Sequence, residues 1–191
     1  MIDPTNITNY NLSEAQLEEI ILFWVCAAGK SGIRAAKSLD ILLNNIKQKF
    51  GLDNLSPFQL ILLYRDRLSD LAAEMKTAGI GCYNHKSKTF LQLATSGLNL
   101  ATCSVDDLEK IYGIGCKTAR CFIIHSRPNQ RLAGLDVHIL HFLRDCGYDV
   151  PKSTPNKKQY AKIEQWFLQE ADKSRKGVAE FDLAIWNKYR R

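Results

Sequence analysis

The sequence predicts an all-α protein. Apolar residues recur three or four positions apart along almost the whole chain, which is the spacing of one buried helix face. No run of β-branched residues alternates strictly with polar residues, as a half-buried strand would require. Short polar turns separate the helical segments, and no repeat or low-complexity stretch occurs. The 191 residues, 46% of them hydrophobic, suffice for a core of ordinary size.

Capping residues and glycines predict where each helix begins and ends. Ser13 and Gln16 form a capping box at the start of the first helix, which ends at Gly29, and Ser56 precedes Pro57 at the start of the third. The second helix begins near Ser31 and runs to Phe50 and Gly51. The remaining helices are predicted over 68–78, 83–94, 104–112, 116–125, 136–146, 156–173 and 177–189.

Composition and charge narrow the classes of function. The net charge of +6 favours an anionic partner such as nucleic acid. No apolar run approaches the roughly 20 residues that span a bilayer, so we expect no membrane insertion. The irregular segments 126–134 and 147–155 do not resemble flexible linkers, so the chain is predicted to form a single unit, 1–191.

The cysteines predict free thiols rather than a metal site. No C-x-x-C pair occurs, and Cys82 with His85 lacks the second ligand pair that structural zinc needs. The start of the chain has no secretory pattern, so we expect an intracellular protein, cytoplasmic or nuclear. Gly29-Lys30-Ser31 resembles the end of a phosphate-binding P-loop, but Trp24 replaces the first glycine of that motif, and Ser31 is better explained as a helix cap.

The segment 104–125 predicts a helix-hairpin-helix. Ser104 and Asp107 form a capping box, a short helix follows, and Gly113 and Gly115 make a tight turn into the next helix. Such a turn lets the backbone approach a phosphate, whose charge the free N–H groups of the second helix would bind. A turn that only packs two helices remains the alternative.

Two residues that follow this turn in the sequence have side chains suited to catalysis. Lys117 lies in the first turn of its helix, where the helix dipole is expected to disfavour the protonated amine and so to favour a nucleophile. Asp136 follows nineteen residues later at a predicted helix start. As an N-cap it would be held ionised, which suits a group that stabilises a developing sugar cation. An ordinary cap is the alternative for Asp136.

These residues carry a resemblance to a known superfamily. Gly113-x-Gly115-x-Lys117-Thr118-Ala119, followed by Leu135-Asp136-Val137-His138, resembles the signature of the helix-hairpin-helix DNA glycosylases, and Gly81-Cys82-Tyr83-Asn84-His85-Lys86 resembles the segment before the hairpin in endonuclease III. The resemblance covers roughly 14–190. It implies two lobes, the first made of 1–30 plus 127–191 and the second of 31–126.

The resemblance also implies site residues. A lysine at position 117 implies a glycosylase with an associated AP-lyase activity, in which Lys117 and Asp136 are catalytic. Cys121 would contact one face of a flipped base. Asp182 and Trp186 resemble the Asp-x-x-x-Trp of archaeal 8-oxoguanine glycosylases, where the acid meets the edge of the base and the indole stacks on it. The alternatives are a small buried thiol at 121, a solvated acid at 182 and a core indole at 186.

The sequence departs from endonuclease III in two respects, of which the first counts against the oxidised-pyrimidine branch and the second leaves open which residue fills the gap in the DNA. Only Cys146 follows Asp136, so the four-cysteine iron–sulfur cluster of that enzyme is not expected. No glutamine stands near Ala28 and Gly29 to fill the gap left by a flipped base, so Cys82 or Tyr83 is the candidate wedge.

The sequence therefore predicts a monomeric 8-oxoguanine-type DNA glycosylase and AP lyase that acts on damaged double-stranded DNA. Cofactors and a metal redox centre are not required, although an ion at the hairpin carbonyls would be compatible. The expected DNA contacts are Gly113, Gly115, Cys82, Tyr83, Lys86, Lys88 and Arg120. A glycosylase for oxidised pyrimidines or another purine lesion, and a non-catalytic DNA-binding module that uses only the hairpin, are the alternatives.

Overall fold

Ten helices and no strand make up the secondary structure of residues 1–190, which are the residues that the computed structural model describes. The helices are α1 (Glu14–Ala27), α2 (Gly32–Phe50), α3 (Pro57–Leu62), α4 (Leu68–Thr77), α5 (Tyr83–Thr95), α6 (Val105–Glu109), α7 (Cys116–Ser126), α8 (Val137–Asp145), α9 (Lys157–Ser174) and α10 (Val178–Tyr189). The predicted all-α class and all ten predicted helices are confirmed.

The predicted caps explain most of these boundaries. Ser13, Ser56 and Ser104 each accept a hydrogen bond from the backbone N–H three residues later, and the side chain of that later residue accepts one from the backbone N–H of the cap. Ser31 caps α2, as expected once the P-loop interpretation is rejected. Helix α6 is shorter than predicted because bonds of the i to i+3 type, from Ile111 N to Leu108 O, tighten the chain into the hairpin turn.

The chain divides into two compact units. Unit 1 contains Met1–Pro4 and Asn11–Gly115, and unit 2 contains Thr5–Tyr10 and the chain from Cys116 onward. Helix α1 lies in unit 1 because its apolar face packs against α2, α3 and α5. This division differs from the expected lobes, which placed 1–30 with the C-terminal helices and α7 with the middle of the chain.

Each unit has its own core. In unit 1 the fully buried side chains include those of Ile21, Leu42, Tyr64 and Phe90. In unit 2 helices α8, α9 and α10 pack around a buried apolar cluster. Its members are Ala133, Leu135, Ile139, Leu140, Leu143, Val150, Tyr160, Ile163, Phe167 and Ile185. Burial of each large apolar side chain contributes about 1.5–3 kcal/mol. The core of unit 2 thereby holds the starts of α7 and α8 and the side of α10 that carries Asp182.

Candidate active site

The predicted catalytic residues meet within unit 2. Lys117 projects from the first turn of α7, and its ammonium group is surrounded by protein although the residue as a whole is half-buried. Cys121, Asp136 and Asp182 all act on it electrostatically, and the Cys121 sulfur lies within hydrogen-bond range. Helices α7, α8 and α10 therefore bring one amine, two carboxylates and one thiol together.

The protonation of Lys117 differs from the expectation. Burial lowers the pKa of the amine, but Cys121, Asp136 and Asp182 together raise it by more, so that the pKa of Lys117 lies above its usual range. The helix dipole was expected to favour the neutral amine, whereas the groups around Lys117 shift its pKa upward. Lys117 is thus a cation at neutral pH and must lose a proton before it can act as a nucleophile.

Asp136 is the N-cap of α8. Its Oδ1 accepts hydrogen bonds from the backbone N–H groups of His138 (2.8 Å) and Ile139 (3.0 Å). Burial raises the pKa of this carboxyl, and the positive charge of Lys117 and the cap bonds oppose that shift without cancelling it. A carboxyl with a raised pKa is a better proton acceptor for the neighbouring amine than an ordinary aspartate.

The segment before Asp136 is fixed by helix α9. Tyr160 Oη donates to Ala133 O (2.7 Å) and accepts from Leu135 N (2.9 Å), while Glu164 Oε1 accepts from Ala133 N (2.8 Å). These bonds satisfy backbone groups that would otherwise be orphaned. They also set the position at which α8 begins, and hence the position of Asp136.

Cys121 packs beneath the same segment. The thiol is buried, with 2% of the residue exposed, and burial raises its pKa to about 12. A Cβ placed on Gly134 would collide with the Cys121 sulfur. Cys121, the predicted base-contacting residue, therefore also packs against the loop that leads to Asp136.

Asp182 is held by residues that the sequence analysis did not identify. Its Oδ2 accepts from His125 Nε2 (3.2 Å), and the Thr8 hydroxyl lies 2.7 Å from Nδ1 of the same ring. Within residues 1–190, no donor lies within hydrogen-bond distance of the buried Asp182 Oδ1. No local signal in the sequence connects His125 to Thr8 and Asp182, which lie 117 and 57 positions away.

Trp186 lies one turn after Asp182 on α10 and is half-buried. Its ring meets His138 edge to face at a centroid distance of 6.3 Å, and the Arg190 guanidinium carbon lies 5.0 Å from the ring centroid. The indole is therefore neither a fully buried core residue nor a freely exposed one. An aromatic ring in this position has surface left for stacking.

Two of the predicted DNA contacts have structural partners instead. Lys86 is buried, and its Nζ donates to the carbonyl groups of Cys26 (2.9 Å) and Ala28 (3.0 Å) at the end of α1. Arg120 pairs through Nε with Glu164 (2.9 Å) and lies over the Tyr160 ring. Both cations are thus engaged by protein groups in this structure, and their contact with DNA stays a prediction.

The other predicted DNA contacts of unit 1 are more accessible. Cys82 and Lys88 are exposed, and Tyr83 is half-buried. Cys82 adopts the left-handed conformation (φ +53°) as the N-cap of α5. Lys88 Nζ lies 6.0 Å from the ring centroid of Tyr112, the residue before Gly113. Their contact with DNA stays a prediction.

The two hairpin glycines have different requirements. Gly113 has φ +79°, and a Cβ there would lie 2.5 Å from Thr89 Oγ1. Gly115 has no positive φ, and a Cβ there would meet nothing within 4 Å. The folded chain itself therefore explains the glycine at 113 and not the glycine at 115.

We expect alanine at these two positions to separate stability from DNA binding. Gly113→Ala should lower the free energy of unfolding by about 1–3 kcal/mol, because of backbone strain and the Thr89 clash. Gly115→Ala should change it by less than about 0.5 kcal/mol but weaken duplex binding about tenfold, because a methyl group would keep a phosphate from the backbone. Thermal melting and fluorescence anisotropy would measure the two quantities.

Gly177→Ala is the control, because a Cβ at this residue, the N-cap of α10, meets nothing closer than 3.9 Å. Its DNA affinity should equal that of the wild type. If Gly115→Ala also binds DNA as the wild type does, the predicted phosphate contact at this turn is wrong.

No group of three or more His, Cys, Asp or Glu side chains in the described part of the chain is arranged to hold a metal ion. None of the helices between residues 1 and 190 combines the length and the apolar character needed to cross a membrane.

Comparison with solved structures reveals close folds. The 8-oxoguanine DNA glycosylase of Thermotoga maritima has a TM-score of 0.68 at 20% identity, over 93% of this chain and 81% of that one. The 8-oxoguanine glycosylase/lyase of Methanocaldococcus jannaschii, solved with a 15mer DNA containing 8-oxoguanine, has a TM-score of 0.65 at 19% identity, over 94% and 83%.

A third similar structure is the H. pylori 3-methyladenine DNA glycosylase bound to 1,N6-ethenoadenine, with a TM-score of 0.65 at 18% identity, over 89% of this chain and 84% of that one. No family model matches the sequence. At these identities the comparisons establish the architecture of the chain, and they agree with the resemblance carried by its hairpin and its Lys117 and Asp136 motif. The chain has the all-α fold of the helix-hairpin-helix DNA glycosylases.

Proposed function

We propose that this chain is a base-excision-repair DNA glycosylase that removes 8-oxoguanine from duplex DNA and then nicks the strand through an AP-lyase step. The observation that carries the proposal is the arrangement of Lys117 beside Asp136 and Asp182, immediately after a glycine hairpin. Burying an amine beside two carboxylates costs free energy, and buried groups of this kind often serve a reaction. A lysine amine suits covalent chemistry at an electrophilic sugar carbon.

The proposed reaction begins with proton transfer. Lys117 is a cation at rest, and Asp136, whose carboxyl pKa is raised, takes up its proton. The neutral amine then attacks C1′ of the sugar, and the bond from C1′ to the base breaks with its electron pair leaving on the base. Asp136 then passes this proton to the departing base, and the carboxylate that is restored stabilises the positive charge that develops on the sugar.

The second stage is elimination. The C1′ adduct opens to a protonated Schiff base between C1′ and Lys117 Nζ, which makes the proton on C2′ acidic. Loss of that proton and departure of the 3′ phosphate break the strand by β-elimination. Water then releases the product and restores the free amine.

Asp182 and Trp186 support a purine as the substrate. The one-sided pairing of Asp182 leaves Oδ1 as an unpartnered acceptor, and 8-oxoguanine presents N1–H and N2–H₂ donors on one edge. Trp186 has ring surface for stacking on a flipped base. In the proposed reaction the protein binds double-stranded DNA and is active as a monomer.

A panel of lesion duplexes tests the proposal. With 8-oxoguanine the wild-type protein should release the base and give a covalent adduct with borohydride, whereas thymine glycol, 3-methyladenine and ethenoadenine duplexes should react more slowly. Faster release of thymine glycol would favour the oxidised-pyrimidine alternative. DNA binding without release of any base would favour the non-catalytic module.

A further inference from the structure

His125 is a fully buried residue that the proposed chemistry does not use. It lies on α7, two turns after Lys117, with 0% of the residue exposed. Both ring nitrogens have side-chain partners within unit 2, since Nδ1 lies 2.7 Å from the Thr8 hydroxyl and Nε2 lies 3.2 Å from Asp182 Oδ2. A buried histidine with two such long-range partners is more than a space-filling residue.

The partners define where the ring carries its proton. Asp182 Oδ2 only accepts when the carboxylate is ionised, so Nε2 must carry the hydrogen that joins them. In the neutral ring Nδ1 is then an acceptor, and the Thr8 hydroxyl donates to it. The chain of donors therefore runs in one direction, from Thr8 through His125 to Asp182.

The segment that supplies Thr8 is itself tied to unit 2. Asn9 N donates to His125 O (3.0 Å), and Asn187 Nδ2 donates to Thr5 O (3.2 Å). Ile7 is buried, with 5% of the residue exposed. Residues 5–10 thus form a strap along α7 and α10 that holds the Thr8 hydroxyl against the ring.

The two oxygens of the Asp182 carboxylate differ in their hydrogen bonding. His125 occupies one lone pair of Asp182 Oδ2 and fixes the plane of the group, while Oδ1 is buried without a donor among residues 1–190. Buried polar atoms are nearly always paired, so an unpaired one that is held in place is a candidate for contact with a ligand. Asp182 also acts electrostatically on Lys117, so its carboxylate belongs to the same group of side chains as the proposed nucleophile.

We propose that Thr8 and His125 are positioning residues that fix Asp182 Oδ1 as the acceptor for the N–H edge of the flipped base. The inference rests on the proposed glycosylase function and assigns a specificity role to the strap and to α7. Without the His125 donor, the Asp182 carboxylate could rotate, and Oδ1 would no longer be fixed as an acceptor for the N–H edge of the base.

Two substrates separate this role from a merely structural one. A duplex with 8-oxoguanine requires recognition of the base, whereas a duplex with a preformed abasic site has no base and requires only Lys117 and Asp136. The variants are His125→Leu, which removes the donor, His125→Gln, which keeps an N–H donor at a similar reach, and Thr8→Val, which removes only the hydroxyl. Single-turnover excision and borohydride trapping are measured for each.

We expect His125→Leu to slow 8-oxoguanine excision about 10- to 100-fold, the size of one charge-assisted hydrogen bond, while trapping on abasic DNA stays within about twofold. His125→Gln should recover most of the excision rate, and Thr8→Val should lose about three- to tenfold on the base substrate alone. His141→Gln is the control, because this histidine is exposed on α8, and it should match the wild type on both substrates.

Equal losses on the two substrates would show a structural role and overturn the proposal. Excision of 8-oxoguanine at the wild-type rate in all three variants, His125→Leu, His125→Gln and Thr8→Val, would overturn it as well. If His125→Leu does not fold, the selective loss in Thr8→Val decides the question. If the wild type itself traps on neither substrate, the proposed function fails rather than the role of His125.

Discussion

Replacing Lys117 with Gln is expected to abolish the borohydride-trapped adduct and to slow base release by about four orders of magnitude, the usual scale for loss of a nucleophile. Glutamine has no basic amine, so neither attack at C1′ nor the Schiff base can form. The measurement is single-turnover excision of 8-oxoguanine together with gel detection of the adduct. An adduct of wild-type intensity in Lys117→Gln would assign the nucleophile to another residue.

Loss of the Lys117 charge also affects stability, so a second variant is needed. The raised pKa of the amine means that its pairing with the ionised carboxylates stabilises the fold at neutral pH and up to the unfolded value of about 10.4, and that this contribution is lost as pH rises through the folded value. Lys117→Gln should therefore melt lower at neutral pH. Lys117→Arg keeps a positive charge but cannot form a Schiff base, so it should bind DNA and fold while giving no adduct.

The pH dependence of the wild type follows from the same charge. Because Lys117 is protonated at neutral pH, the fraction of neutral amine grows as pH rises toward its raised pKa. The rate of base release should therefore increase from neutral into alkaline pH, as long as the DNA complex forms.

Replacing Asp136 with Asn should separate activity from stability. We expect excision to fall about 100- to 1,000-fold, since the amide can neither take the proton of Lys117 nor stabilise the sugar cation. Asparagine is as good an N-cap as aspartate, so the bonds to His138 and Ile139 can be kept. The melting temperature at pH 7 should stay the same or rise.

The sign of this stability effect follows from the carboxyl pKa. Because the folded pKa of Asp136 is raised, the folded protein binds more protons than the unfolded chain between about pH 3.9 and the folded value, and stability falls as pH rises through that window. Above it, the ionised group is a cost that asparagine does not carry. The gain of Asp136→Asn over the wild type should thus shrink as the solution is acidified.

Asp136→Ala is the matched control for the cap. It removes the same catalytic group and also the hydrogen bonds to the start of α8, so it should lose about 1 kcal/mol of stability that Asn retains. Excision by Asp136→Asn at the wild-type rate would contradict the catalytic assignment, and a large drop in its melting temperature would contradict the cap geometry.

Most of the fold was predictable because its signals are local. Capping boxes at Ser13, Ser56 and Ser104 act over three residues, and the apolar spacing of each helix repeats within two turns, so ten helices could be placed from the chain alone. The end of α6 was less predictable, because the tight turn after Glu109 depends on backbone hydrogen bonds that no side-chain pattern indicates.

The candidate site was predictable only in part. Lys117 and Asp136 stand out by their places at two helix starts, and Asp182 and Trp186 by their spacing on α10. Neither Lys86 nor Arg120 could be told from a surface cation in the sequence, because the carbonyl partners of Lys86 lie 60 and 58 positions away and the carboxylate partner of Arg120 lies 44 positions away.

The sequence by itself determined the all-α class, the order of the helices and the residue types available for chemistry, since these depend on neighbours along the chain. Only the tertiary structure decided that Lys117 is charged, that Cys121 lies under Gly134, and that His125 joins Thr8 to Asp182. The physical reason is that protonation and hydrogen bonding depend on which groups packing brings into a buried environment, and packing joins residues that no local pattern relates.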